Sequence, residues 1–278
     1  MTRGHLGILL LLGATLAAPA MERRVPPPGE GDWELVWQDE FDRPGAPDST
    51  RWDYELGFER NEEPQLYTRS LKNARVERGL LVLEAHRETL PNPAWQAGSE
   101  DWRKARREAA CSSASLKARD LKAWRYGRFE IRARLPQGPY AWPAFWLVGP
   151  NGPWPACGEI DILEAYDSEA GHNRGSVLFE VAGKHAFQTE TVAVPDAFTH
   201  FHTYAMDWDA QRIQFLLDGV VFESFELDKA GPGPDNPFRQ PLTLLLSLAL
   251  RGRGAPLPED ALPARFVVDY VRIWQRRS

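Results

Sequence analysis

Strand-length runs in which apolar and polar side chains alternate recur through most of this chain, each bounded by Gly, Pro, Asn or Asp, and that pattern predicts sheet. Gly127 to Leu135 and Arg265 to Gln275 alternate in this way, and Leu80 to Ala85 and Ile213 to Leu217 are further short runs. Successive side chains of a strand point to opposite faces, so alternation marks strands with one buried face. The Asp218-Gly219 pair between apolar runs predicts a hairpin whose return strand is Phe222 to Leu227, because glycine accepts the positive φ of a tight turn. Leu242 to Leu250 is almost wholly apolar, as in a strand buried on both faces or a short helix, and its place among strands favours β. Trp95 to Ala110 reads as helical or as a surface excursion from its Glu, Arg, Lys and Ala content. The proline-rich stretches Pro232 to Pro237 and Ala255 to Pro263 are loops. No period of 20–50 residues suggests a solenoid or propeller. The expectation is an all-β sandwich of two sheets, with one large domain over residues 32–278.

The first twenty residues have the plan of a secretory signal peptide. Arg3 supplies the positive start, Leu6 to Leu16 an uncharged apolar run, and Ala18-Pro19-Ala20 a cleavage site after Ala20. Residues 21–31, with Pro26-Pro27-Pro28-Gly29, read as an extended spacer. The apolar run is too short for a stable membrane anchor, so a secreted or periplasmic protein with no membrane contact after cleavage is expected. A net charge of -6 repels a phosphate backbone and argues against nucleic acid. In an oxidising compartment the only two cysteines, Cys111 and Cys157, are either a disulfide or two buried thiols. Eleven Trp are a heavy aromatic load, which core filling uses in part, and an indole can also stack on the apolar face of a sugar ring.

The segment Gly158-Glu159-Ile160-Asp161-Ile162-Leu163-Glu164 carries the chemistry. On a regular strand Glu159 and Asp161 share a face, whereas Glu164, five positions on, faces the core. A β-bulge at Ile162-Leu163 restores the parity and brings all three acids to one surface. Stacked carboxylates repel, and folding avoids them unless something uses them. Retaining glycoside hydrolysis does: one carboxylate attacks the anomeric carbon while a carboxylic acid about 5–5.5 Å away protonates the leaving oxygen. Neighbouring negative charge keeps that acid protonated near neutral pH. A solvated acidic strand or a cation site is the plainer alternative.

This segment resembles the ExDxxE signature of glycoside hydrolase family 16, of the bulged, laminarinase-like endo-β-1,3-glucanase type. Asn61-Glu62-Glu63-Pro64-Gln65-Leu66-Tyr67 is similar to that family's NxExQxY stretch, and Trp37-Gln38-Asp39-Glu40-Phe41 to its opening strand. Tyr126 to Glu130, Ala141 to Trp146, His202-Thr203-Tyr204 with Trp208, and Val268 to Arg272 extend the likeness over most of the chain. The resemblance implies a jelly-roll β-sandwich of two antiparallel sheets with a concave substrate cleft. It implies Glu159 as nucleophile, Asp161 as its assistant and Glu164 as acid/base. It places Asn61, Trp142, Trp146 and Trp154 in or beside the cleft, Trp146 being equally a core residue. No cofactor for catalysis is implied. A structural calcium ion on the convex side is, held by Glu40, the Gly79 carbonyl and Asp269, each of which is otherwise an ordinary turn or surface residue.

The pattern breaks in two places. Gly175-Ser176-Val177-Leu178 puts Leu178 where relatives carry a histidine, and His185 falls where they carry a second one. Leu250-Arg251-Gly252-Arg253-Gly254 stands where many relatives place a Gly-Gly-Trp loop, so Arg251 replaces an aromatic platform at the substrate. Guanidinium groups there would suit an anionic or sulfated chain. The expected activity is endo-hydrolysis of β-1,3-glucan by a monomer acting on polysaccharide. A galactanase, a transglycosylase or a non-catalytic glucan-binding module on the same scaffold are the alternatives, the last being disfavoured because all three acids are present.

Overall fold

The computed structural model describes residues 33–166, 171–252 and 257–277, within a unit that begins at Asp32. The expected leader over 1–20 and spacer over 21–31 lie outside the described residues, as does Arg253.

Two sheets stack face to face. The first, called here the cleft sheet, has the order Lys184–Ala193, His172–Val181, Glu159–Glu164, Ala141–Val148, Leu242–Leu250, Ser115–Ala118, Trp52–Glu55, with Ala123–Trp124 also on Leu242–Leu250. Its pairing is antiparallel throughout. The second runs Val220–Glu226, Arg212–Leu217, His202–Trp208, Gly127–Arg134, Ala264–Arg276, Leu80–Pro91, Glu108–Ser113, Gln65–Tyr67. Trp33–Asp39 adds to Ala264–Arg276, and Ala74–Glu77 to Leu80–Pro91. Its one departure from the antiparallel rule is the parallel pair of Gln65–Tyr67 with Glu108–Ser113. The architecture is the expected jelly-roll sandwich.

Side-chain alternation decides what each sheet buries. All nine residues of Leu242–Leu250 are buried, for a reason specific to its central position. Leu244, Leu246 and Leu248 enter the core between the sheets, while Leu245 turns to the other face and packs with Ala144 and Trp146. At the hairpin, Asp218 (φ 48°) and Gly219 (φ 80°) both take the left-handed conformation that a type I′ turn requires. Much of the aromatic load fills the core: Trp52 and Trp208 are almost wholly buried, and Trp37 packs edge-on against Trp52 with centroids 5.2 Å apart.

Two open alternatives are decided. Trp95 to Ala110 is not a helix. A single turn, Trp102–Ala105, is capped by Asp101, whose side chain accepts from Arg103 N, and Glu108–Ser113 is then a strand. Pairing with Gln65–Tyr67 on one side and Leu80–Pro91 on the other outweighs local helix propensity there. Cys111 and Cys157 are both free thiols, so the disulfide alternative falls, and burial pushes the Cys111 thiol up to about 12.

Candidate active site

The strand carrying the acids follows Gly158, whose φ of 80° and whose closeness to Pro237, 2.7 Å from where a Cβ would stand, leave no room for another residue. Beyond it the strand is bulged. Asp161 stands opposite Ser176 and Glu164 opposite Arg174, three steps on one strand against two on its neighbour. On the other side Trp146 faces Asp161 and Phe145 faces Leu163, which identifies Ile162 as the additional residue. Ile162 and Leu163 are both buried, and Glu164 returns to the face shared by Glu159 and Asp161. Asn173, itself fully buried, fastens the bulge from the next strand. Its Oδ1 accepts from Glu164 N (3.1 Å) and its Nδ2 donates to Ile162 O (3.2 Å).

All three acids line one cleft of about 770 Å³. Each outer acid is held by an indole: Trp154 Nε1 donates to Glu159 Oε2 and Trp142 Nε1 to Glu164 Oε1, both at 2.9 Å. Burial is the largest influence on all three and raises them. For Glu164 burial and the charge of Glu159 outweigh the Trp142 bond and Arg174, and carry the carboxyl up to about 7. Asp161, between two like charges, is pushed well above the usual range. Glu159 is raised too, but the Trp154 bond and the positive charge of Arg60 favour its ionised form. Both outer acids are therefore held above the ordinary carboxyl range, Glu164 up to about 7 with the charge of Glu159 adding to burial, which suits it to hold a proton.

Arg60 also lines the cleft. Both oxygens of Glu55 accept from it at 2.5 Å, Glu55 also accepts from the Ser115 hydroxyl (2.6 Å), and the guanidinium lies 5.0 Å over the Trp146 ring. Asn61, at φ 55°, donates to Glu63, which also accepts from Gln65 Nε2. Glu55, Arg60, Asn61 and Glu63 all line the cleft.

Asn61, Trp142, Trp146, Trp154 and His185 all line the cleft. Trp146 belongs to it rather than to the main core, packing with Ala144 and Leu245 on that face. Arg251 is not part of the lining among the described residues. Its guanidinium lies 5.4 Å over Tyr166, which does line the cleft and packs on Trp142 with centroids 5.0 Å apart. Arg174 stacks on the same Tyr166 at 4.4 Å. Tyr166, Arg60 and Asn173 are positions at the cleft that the sequence did not reveal, since no local pattern marks them.

The calcium expectation meets a different arrangement. Glu40 accepts from Arg272 Nε (2.7 Å) and Nη2 (2.9 Å), and Asp269 accepts from Arg132 (2.6 Å). Among the described residues no group of three His, Cys, Asp or Glu side chains could hold a metal. Both carboxylates are thus engaged by guanidinium groups on this face of the sandwich.

Comparison with known proteins agrees with this geometry. Residues 70–272 match Glycosyl hydrolases family 16. The chain is 36% identical over 261 residues to a beta-glucanase of Rhodothermus marinus, covering 87% of this chain and 85% of that one. The solved laminarinase of the same organism superposes with a TM-score of 0.74 at 36% identity, over 88% of this chain and 98% of that one. A further solved structure comes from work on endo-acting O-glycanases with which human gut bacteria initiate mucin breakdown. It gives a TM-score of 0.83 at 35% identity, over 89% and 92% of the two chains. With the sandwich, the bulged strand and the match over most of its length, the chain belongs to glycosyl hydrolases family 16.

Proposed function

We propose that this glycosidase hydrolyses internal β-1,3-glucosidic linkages of β-glucans by retaining double displacement. Glu159 attacks the anomeric carbon while Glu164 gives its proton to the leaving oxygen. A glycosyl ester on Glu159 results, and Glu164, now a carboxylate, takes a proton from the water that hydrolyses it. Asp161 moderates the charge of Glu159 from the position between them. The observation that carries this reading is the bulge at Ile162, which turns an odd spacing into a shared face and brings both outer acids into one cleft. The names of the beta-glucanase and laminarinase relatives support the choice of linkage. The leader-like start of the chain supports a secreted or periplasmic site of action.

A second reading, an endo-acting glycanase on galactose-containing or mucin-type chains, is favoured by Leu178 and Arg251. Both stand where the resemblance places other residues, and the likeness to the O-glycanase structure points the same way. Release of reducing ends from laminarin, mixed-linkage glucan, agarose, carrageenan and mucin O-glycans decides between them. Fastest release from laminarin is expected, and activity confined to the last three would replace the glucanase reading.

A further inference from the structure

The cleft sheet presents side chains in rows that cross its strands. One row runs Val148, Glu159, Leu178, Phe187; the next runs Trp146, Asp161, Ser176, Thr189; a third runs Ala144, Glu164, Arg174, Thr191. The first row ends on an apolar pair at the edge strand Lys184–Ala193. Phe187 is 67% exposed, so it fills no core, yet it forms part of the cleft wall together with Leu178. Its direction is fixed by strand parity. Gln188, next in sequence, turns the opposite way and donates to Glu223 of the other sheet (3.1 Å), which leaves Phe187 facing the cleft. Ring contacts continue from it toward the nucleophile: Phe187 to His185 with centroids 6.0 Å apart, His185 to Trp154 at 4.9 Å, and Trp154 to Glu159 by its hydrogen bond.

An exposed aromatic side chain on an edge strand is a liability in water, because it invites association with other chains. A ligand with a flat apolar face and a hydroxylated rim removes that exposure. We propose that Phe187, with Leu178 beside it, forms an outlying subsite for one further sugar ring of the polysaccharide, stacking on the C–H face of that ring. Two strand spacings, about 10 Å, separate the Phe187 backbone from that of Glu159, so the sugar held there is not the one whose bond breaks. The inference rests on the glycosidase reading above and adds to it a binding position at the edge-strand end of the cleft.

The test uses the full-length protein and whichever glycan of the panel the wild type cleaves fastest, with its oligosaccharides in increasing length. Phe187→Ala is expected to raise KM on the polysaccharide roughly threefold to tenfold with kcat held, since an aromatic stacking contact is of that size. The loss should shrink as the oligosaccharide shortens, and Phe187→Trp should keep the wild-type KM. Equal losses at every length, no loss at any, or a failure of the Trp variant to rescue would each overturn the proposal. Polysaccharide binding by Glu164→Ala, compared with Glu164→Ala/Phe187→Ala, reads the same contact without turnover. Weaker binding by the double variant supports the subsite and equal binding overturns it. Wild-type turnover reports separately on the catalytic reading.

Discussion

In the proposed mechanism Glu164 is a carboxyl that must keep its proton at the pH where it works. With burial and Glu159 holding it at about 7, the protonated fraction falls as pH rises through that value, so kcat/KM should decline on the alkaline side with a limb near 7. The Trp142 indole bonds to Glu164 Oε1 and favours its charged form. Trp142→Phe removes that donor, so the proton is held more firmly and the alkaline limb should move to higher pH. A limb that stays in place would show that another group sets it. That three carboxyls share one face was legible in the sequence, because three acids alternating with isoleucines have no comfortable place in an ordinary sandwich. How their surroundings raise them was not legible, because Arg60 and the Trp142 indole reach the acids from other parts of the chain.

The bulge is the element on which the proposed chemistry turns. Parity alone required it at Ile162-Leu163, and there the register shifts. What fastens it was hidden, since Asn173 lies eleven positions from Ile162 and nothing local marks an asparagine as a clamp. Asn173→Ala would leave Ile162 O and Glu164 N without these partners and free Glu164 to move. A positional error of this kind costs roughly tenfold to a hundredfold in kcat. Steady-state kinetics should show that drop with KM little altered, whereas an unchanged kcat would mean that the bulge holds itself. The same limit of local reading explains the Trp95 to Ala110 segment. Its composition suits a helix, but the partners that make Glu108–Ser113 a strand are brought in from Gln65–Tyr67 and Leu80–Pro91. Where a strand's own alternation is strong, as in Gly127–Arg134 and Ala264–Arg276, sequence and structure agree to within a residue or two.

The two sheets are joined at one edge by a group that makes stability depend on pH. Glu223, buried on the Val220–Glu226 strand, accepts from Gln188 of the cleft sheet, and Gly175 lacks a Cβ where one would stand 2.9 Å from its carboxyl oxygen. Burial raises its pKa from the ordinary 4.5 to about 7. A folded-state value above the unfolded one gives a contribution fully present below about 4.5 and lost as pH rises through about 7. Glu223→Gln, neutral at every pH, should therefore raise the melting temperature at pH 8 by on the order of a few degrees and change it little at pH 5. Equal shifts at both pH values would contradict that assignment. The pairing order of the strands and the closeness of these sheet edges lay beyond sequence reading, since alternation says which face of a strand is buried and not what covers it. The roles of the paired acids can be separated with sodium azide and an activated β-glycoside. Glu164→Ala should yield the β-glycosyl azide, because azide then intercepts the ester formed on Glu159, and Glu159→Ala should yield the α-azide, because azide replaces the missing nucleophile. The opposite pairing of variant and anomer, or full turnover in either variant without azide, would contradict the assignment of Glu159 as nucleophile and Glu164 as acid.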